Sequence, residues 1–168
     1  LQSTGIMARQ AGDYERSVGL LEQALVLFKQ IGDEHGEAHA LGDLSRTLYR
    51  MNDLVRAADS MVLAMEMSLR LRDLLLAAKS GMGIGIIEWR NGNQVAAARR
   101  FNECHSIFHA NGNTREEAQA LNNLGLIHHS RQEYEAALSL FLRSSKLQEM
   151  LEDHDDLRNV YNNVADCS

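Results

Sequence analysis

Apolar and small residues recur at intervals of three and four positions along most of the chain. One such series is Tyr134, Ala137, Leu138, Phe141 and Ser144, and another is Ala118, Leu121, Leu124, Gly125 and His128. This spacing places each series on one face of a helix. The chain contains no proline, and apolar and polar residues alternate nowhere for long enough to indicate a strand. The pattern therefore predicts an all-α fold.

The pattern repeats every forty residues, because the segment 121-LNNLGLIHHSRQEYEAALSLF-141 aligns with those that begin at residues 1, 41 and 81. Each copy holds two helical stretches separated by residues that favour turns. The breaks within copies are Gly12-Asp13, Asn52-Asp53, Gly92-Asn93 and Gln132-Glu133, and those between copies are Gly32-Asp33, Arg72-Asp73, Gly112-Asn113 and Glu152-Asp153. We predict a single array over 1–168, with helix pairs over 1–31, 35–71, 75–111 and 115–151 and a terminal helix over 155–168.

Small residues occupy equivalent positions, where a large side chain would hold two helices apart. In the first helices these are Gly5, Ser45, Gly85, Gly125 and Ala165, and in the second helices Ser17, Ala57, Ala97 and Ala137. Cys104 takes the position of Ala24, Ala64 and Ser144, so we interpret it as a small packing residue. Gly81 and Gly83 have no place in this scheme, and as excess glycines each is expected to cost the helix roughly 0.5–1 kcal/mol.

These residues resemble the pattern of the tetratricopeptide repeat family, which has a Leu-Gly pair in the first helix and Ala, an aromatic and a small residue in the second. Leu124, Gly125, Ala137, Phe141 and Ser144 match it. The resemblance implies an α-solenoid of antiparallel helix pairs, wound as a right-handed superhelix whose first helices line a concave groove. The repeat is longer than the family's usual thirty-four residues and lacks its closing proline, as in variants from signalling adaptors and bacterial multidomain regulators.

Composition narrows the function classes further. A net charge of −6 gives no general reason to bind nucleic acid or anionic lipid. No apolar run approaches the ~20 residues of a membrane span, and no leader pattern opens the chain, so we predict a cytoplasmic protein. Cys104 and Cys167 have neither zinc-site spacing nor the density of a disulfide framework.

No motif indicates chemistry. The segment 81-GMGIGI-86 lacks the spacing of a nucleotide-binding glycine loop, and no P-loop lysine follows it. Two histidine pairs, His35 with His39 and His105 with His109, have a spacing that can chelate a metal, but neither has a third ligand nearby in sequence. We therefore predict no cofactor, no metal and no enzymatic activity.

The resemblance implies that inward-facing residues of the first helices bind a peptide. These residues are Arg46, Tyr49, Arg50, Lys79, Met82, Ile86, Trp89, Arg90, Asn122, Asn123, His129, Asn162 and Asn163. Some family members hold chaperone tails by their carboxylates, but we do not predict this activity here. Gly42 and Met82 stand where polar residues would be expected.

Each part of this surface has an alternative explanation. The stripe Met82, Ile86 and Trp89 either anchors a partner or packs on a neighbouring helix or on a missing part of the protein. The cations Arg46, Arg50, Lys79 and Arg90 either attract carboxylates or pair with local acidic residues. The pairs Asn122-Asn123 and Asn162-Asn163 either bond to a peptide backbone or join neighbouring helices.

Two hypotheses of function follow. The chain is a scaffold that binds an acidic, partly apolar peptide or protein segment, within a signalling or regulatory multidomain protein. Alternatively, it is a structural module that associates with itself through uncapped ends. Because the chain starts and stops inside first helices, we expect a fragment of a longer protein, with apolar residues exposed at Leu1, Ile6, Tyr161 and Val164.

Overall fold

The computed structural model describes residues 1–151 and 154–167, the side chains of 154–159 excepted. Nine α-helices account for nearly all of these residues, and no strand occurs among them: α1 (Gln2–Gln10), α2 (Tyr14–Ile31), α3 (Glu34–Arg50), α4 (Leu54–Arg70), α5 (Leu74–Arg90), α6 (Gln94–Ala110), α7 (Thr114–Ser130), α8 (Tyr134–Met150) and α9 (His154–Ala165). Short turns connect successive helices. The predicted all-α fold is confirmed.

The turns through residue 151 lie at the dipeptides that interrupt the hydrophobic pattern. Each contains one residue in the left-handed region: glycine at positions 12, 32, 92 and 112, and Asn52, Arg72 and Gln132 at the other three. Aspartates that follow four of these residues cap the next helix; Asp33, for example, accepts a 2.9 Å hydrogen bond from the backbone N–H of Gly36. The predicted turn at Glu152-Asp153 lies outside the described residues.

The chain divides into two compact units, Leu1–Ile87 and Glu88–Ser168. In the first unit, α1, α2, α3 and α4 pack in sequence order. One core cluster is formed by Val18, Leu21, Leu44, Leu48, Ala57, Met61 and Ile87, and another by Ala38, Leu41, Ala64, Met67 and Leu76. Apolar burial of this kind is the main force that holds such helices together.

Small residues do lie at the helix crossings of the first unit. Ser17 and Ala57 are fully buried, and a Cβ atom on Gly5 would come within 2.9 Å of Leu21 Cγ. Gly83 corrects the sequence interpretation, because a Cβ atom there would lie 2.5 Å from the Sδ atom of Met61 in α4. Gly83 is therefore a contact position on α5 and not an excess glycine; Gly81 is also buried.

In the second unit, α6, α7, α8 and α9 pack in the same manner. Ala137, Phe141 and Val160 form a buried cluster, and a Cβ atom on Gly125 would overlap the Phe141 ring. Cys104 is buried as predicted, and burial raises the pKa of its thiol to about 12. Ala165, which was expected to occupy a crossing, is exposed.

None of the helices in the described ranges combines the length and the apolar character that crossing a membrane requires.

Candidate functional site

A cluster of charged residues lies on the first-helix side of the first unit. Asp43 and Arg46 are three residues apart on α3, and the Nη2 atom of Arg46 lies 2.7 Å from the Oδ1 atom of Asp43. Asp43 is buried, whereas Arg46 and the next cation along the helix, Arg50, are exposed. A buried carboxylate thus orients an exposed guanidinium group.

Helix α1 contributes two further residues to this cluster. Gln2 donates a 2.8 Å hydrogen bond from Nε2 to Asp43 Oδ2, and Arg9 Nη2 lies 3.9 Å from Asp43 Oδ1. Burial lowers the pKa of the Arg9 guanidinium; Arg46 and Arg50 act in the same direction, and Asp43 opposes them. We call Gln2, Arg9, Asp43, Arg46 and Arg50 the basic face.

Sequence reasoning missed Arg9 and Asp43. Arg9 takes the repeat position of Tyr49, Trp89 and His129, all of which were named as site residues, so the repeat register could have indicated it. Asp43 takes the repeat position of Asn123 and Asn163, which were also named as site residues, so the same register could have indicated it.

The apolar stripe of α5 differs from its prediction at one position. Met82 is only 9% exposed, so it belongs to the packed interior and cannot anchor a partner. Ile86 and Trp89 are half-buried and keep part of their surface exposed. The small exposed fraction of Met82 therefore favours the packing alternative for this residue.

The other predicted cations and Tyr49 are already engaged within the chain. Arg90 is exposed and Lys79 is half-buried, and each has an interaction partner within the chain. Tyr49 packs against the core cluster that contains Leu48. These side chains are less available to a ligand than their sequence positions suggested.

The asparagine pairs of the second unit serve partly to join helices. Asn163 of α9 donates a 2.9 Å hydrogen bond from Nδ2 to the Oδ1 atom of Asn122 on α7. The interhelical alternative is thus correct for these two residues. Asn162 is exposed and Asn123 half-buried, while the ring of His129 packs edge-on against Tyr134 with centroids 5.4 Å apart.

The histidine pair His105 and His109, which the sequence analysis considered, meets a glutamate of α7, Glu117, which it did not name. His109 Nδ1 lies 2.9 Å from the Oε1 atom of the buried Glu117, and His105 Nε2 lies 3.7 Å from the same atom. Burial lowers the pKa of His105, with Arg143 and His109 adding to the effect and Glu117 opposing it. In the part of the chain that the structure describes, no group of three or more such side chains is arranged to hold a metal ion.

A surface hollow of the second unit lies at the turn between α5 and α6. It is lined by Gly92, Asn93, Gln94, Val95, Ala96, Arg99 and Arg131. The Nε atom of Arg131 donates a 3.2 Å hydrogen bond to Gln94 Oε1 across it. Its lining includes no Ser, Thr, Cys, His, Asp or Glu, so it offers neither a nucleophile nor a general base.

Comparison with known proteins places the amino-acid sequence in a family of repeat proteins. The sequence model described as "Tetratricopeptide repeat" matches residues 4–70 and 116–167. A search of curated proteins found no significant match.

Solved structures share the fold at low sequence identity. BtubC (BKLC) from P. vanneervenii has a TM-score of 0.82 and 18% identity over 97% of this chain, which spans 68% of BtubC. The apo form of RapI also has a TM-score of 0.82 and 18% identity. The match covers 90% of this chain and 56% of the RapI chain. A substituted form of a Podosopora anserina protein with nearly identical TPR-like repeats gives a TM-score of 0.75 and 14% identity, with coverage of 99% and 82%. The fold is therefore that of TPR-like helical repeats.

Proposed function

Because the chain belongs to the tetratricopeptide repeat family, we propose that it is a protein-interaction scaffold that binds a segment of another protein on the faces of its first helices. Helical repeats offer rigid side chains at regular spacing, which suits the recognition of extended or helical segments. The proposal is restricted to each unit's own surface.

The basic face is the observation that carries the proposal. Arg46 and Arg50 are exposed on α3, and the buried Asp43 orients Arg46 from below. A protein of net charge −6 that concentrates cations at one place has a local preference for acidic groups. We therefore expect the partner segment to carry Asp, Glu or another anionic group.

Ile86 of the first unit and Trp89 of the second are each a proposed apolar contact on the surface of their own unit. Both are half-buried, so a partner could cover the remaining surface with little loss of side-chain freedom. An apolar residue of the partner would fill this role. The partner segment is thus expected to be acidic with one or two apolar anchors.

The proposal includes a non-enzymatic role, without a cofactor, in a signalling or regulatory protein of the cytoplasm. Two features support it: the hollow beside α6 has no nucleophile or base in its lining, and neither Cys104 nor Cys167 forms a disulfide bond, as expected in a reducing compartment. RapI and BtubC support the scaffold fold alone, since each is 18% identical to this chain.

Affinity purification with matched variants tests the proposal. The protein that contains this chain is compared as wild type, as Arg46→Glu/Arg50→Glu, and as Arg70→Glu, which reverses an exposed charge on the second helix α4. A partner that is confirmed with purified components should be lost with the first variant and retained with the second. Equal retention by both variants would place binding elsewhere.

Self-association is the alternative. Leu1 and Tyr161 are 49% and 51% exposed, as that hypothesis requires, whereas Val164 packs against the cluster around Phe141. Sedimentation of the purified chain over a hundredfold concentration range distinguishes the two hypotheses. Association that is insensitive to Arg46→Glu/Arg50→Glu, without any confirmed partner, would favour the alternative.

A further inference from the structure

The basic face contains more positive charge than its own carboxylate can balance. The guanidinium groups of Arg46 and Arg50 both act on that of Arg9, and Asp43 is the one acidic group among the charges that act on Arg9. Three positive charges against one negative charge leave a local charge of about +2. This excess lies in a protein whose total charge is −6.

The hydrogen bonds of Asp43 show which donors remain for a ligand. Its Oδ1 atom is 2.7 Å from Arg46 and its Oδ2 atom accepts from Gln2, whereas Arg9 lies at 3.9 Å, beyond hydrogen-bond range. The Nε atom of Arg9 is buried and has no hydrogen-bond partner among the described residues. Buried donors are nearly always satisfied in folded proteins, so Arg9 holds donor capacity that the fold does not use.

We propose that Arg9, Arg46 and Arg50 form a binding site for a doubly charged oxyanion, namely the phosphoryl group of a phosphorylated side chain in the partner segment. The proposal deepens the proposed function and rests on it. It differs from recognition of an acidic segment in general, because it requires a phosphoryl group at one defined place.

Charge and geometry together favour a phosphoryl group over a carboxylate. A phosphorylated side chain carries about −1.5 to −2 charges at neutral pH and three acceptor oxygens, which matches the local excess of about +2. Guanidinium groups bind such oxygens through paired N–H donors, which a lysine ammonium group cannot do. All three cations of this cluster are arginines.

A small dianion suits this surface better than a polyanion does. Nucleic acids and anionic membranes present extended negative charge, which a protein of net charge −6 repels beyond the immediate contact. A single phosphoryl group on a protein segment meets only the local cluster. Asp43 acts here as a positioning residue, since its Oδ1 atom holds Arg46, and Gln2 in turn donates a hydrogen bond to the Oδ2 atom of Asp43.

The test uses the full chain and begins with inorganic phosphate as the probe. NMR signals of the backbone amides report its binding. Phosphate should shift amide signals of α1 and α3 around residues 9, 46 and 50, and acetate at the same concentration and ionic strength should not. Arg9→Gln and Arg46→Gln should each weaken phosphate binding by about tenfold, the scale of one charge-assisted hydrogen bond. Arg9→Lys keeps the charge but removes Nε, and it should weaken binding as well.

Arg56→Gln is the matched control. The guanidinium group of Arg56 also pairs with carboxylates, those of Glu22 and Asp53. It should leave phosphate binding unchanged. Circular dichroism and thermal melting of every variant show that each is folded. Equal weakening by Arg56→Gln and Arg9→Gln, or shifts spread over the whole surface, would mean an adventitious ion only and would overturn the proposal.

Binding experiments with peptides and with lipid vesicles then distinguish a phosphoryl group on a protein from one on a lipid. A confirmed partner segment should bind at least about tenfold more tightly when phosphorylated than with Glu at the same residue. A partner that binds through Ile86 and Trp89 regardless of phosphatase treatment would overturn this inference and leave the proposed function intact. Binding to vesicles that contain phosphoinositides, but not to the phosphorylated peptide, would overturn both.

Discussion

Gly125 of α7 lies so close to the ring of Phe141 in α8 that a Cβ atom on the glycine would overlap the ring. Phe141 is completely buried, so the ring has little room to move. The absence of a side chain at position 125 is therefore what lets these two helices approach each other.

Two glycine-to-alanine variants, which should change the free energy of unfolding in opposite directions, test this contact. Gly125→Ala should destabilise the protein by roughly 1–3 kcal/mol through overpacking. Gly19→Ala, inside α2 and with no atom within 4 Å of its Cβ position, should stabilise it by roughly 0.5–1 kcal/mol because alanine favours the helix. Urea unfolding measures both, and a stabilised Gly125→Ala variant would contradict the close crossing.

Left-handed turn residues allow a second prediction. Arg72 has φ of 60°, where a side chain is strained, and Gly32 has φ of 70° at an equivalent turn. Arg72→Gly should stabilise the protein by no more than about 1 kcal/mol. The relief of backbone strain in the folded state exceeds the conformational entropy that glycine adds to the unfolded chain. Gly32→Ala should destabilise by roughly 1 kcal/mol despite open space around it. Thermal melts that rank the two variants in the opposite order would refute this explanation of the turns.

The half-buried His105 of the second unit predicts a pH dependence of stability. Burial lowers the pKa of His105 below its ordinary value of 6.5, so the folded state binds this proton less readily than the unfolded state does. The stabilisation from neutral His105 is complete above pH 6.5 and decreases as the pH falls through that value towards the folded pKa. Replacing His105 with Gln should flatten this part of the stability profile, and an unchanged slope in urea titrations from pH 7.5 to 5 would be incompatible with it.

Binding kinetics test separately the apolar contact proposed for Trp89 in the second unit and the charged contact proposed for Arg50 in the first unit. Trp89→Ala should weaken a confirmed partner by roughly 2 kcal/mol, mostly through faster dissociation. Arg50→Ala should mainly slow association and reduce its dependence on salt, because Arg50 is exposed and acts at a distance. Stopped-flow fluorescence of Trp89, the only tryptophan, follows both steps for Arg50→Ala and for its control Arg70→Ala, and a fluorescent label on the partner follows them for Trp89→Ala. Loss of affinity with Arg50→Ala that is independent of salt would rule out steering.

The amino-acid sequence alone determined the helices, the turns and the sizes of residues at the crossings. Four aligned copies show each position several times, so the roles of Ala57, Ala97 and Ala137 could be predicted together, and all three are buried. Helix formation and turn chemistry depend mainly on residues close in sequence. This is why their signals survive in a single sequence.

Only the tertiary structure decided which polar groups meet. Gln2 and Asp43 are 41 residues apart, as are Asn122 and Asn163, and each pair forms a hydrogen bond that no local pattern indicates. The position of Met61 over Gly83 and the burial of Met82 likewise follow from contacts between helices or from packing. A side chain's partner depends on the rotation and spacing of whole helices, which are set by the sum of many packing contacts and not by spacing along one helix.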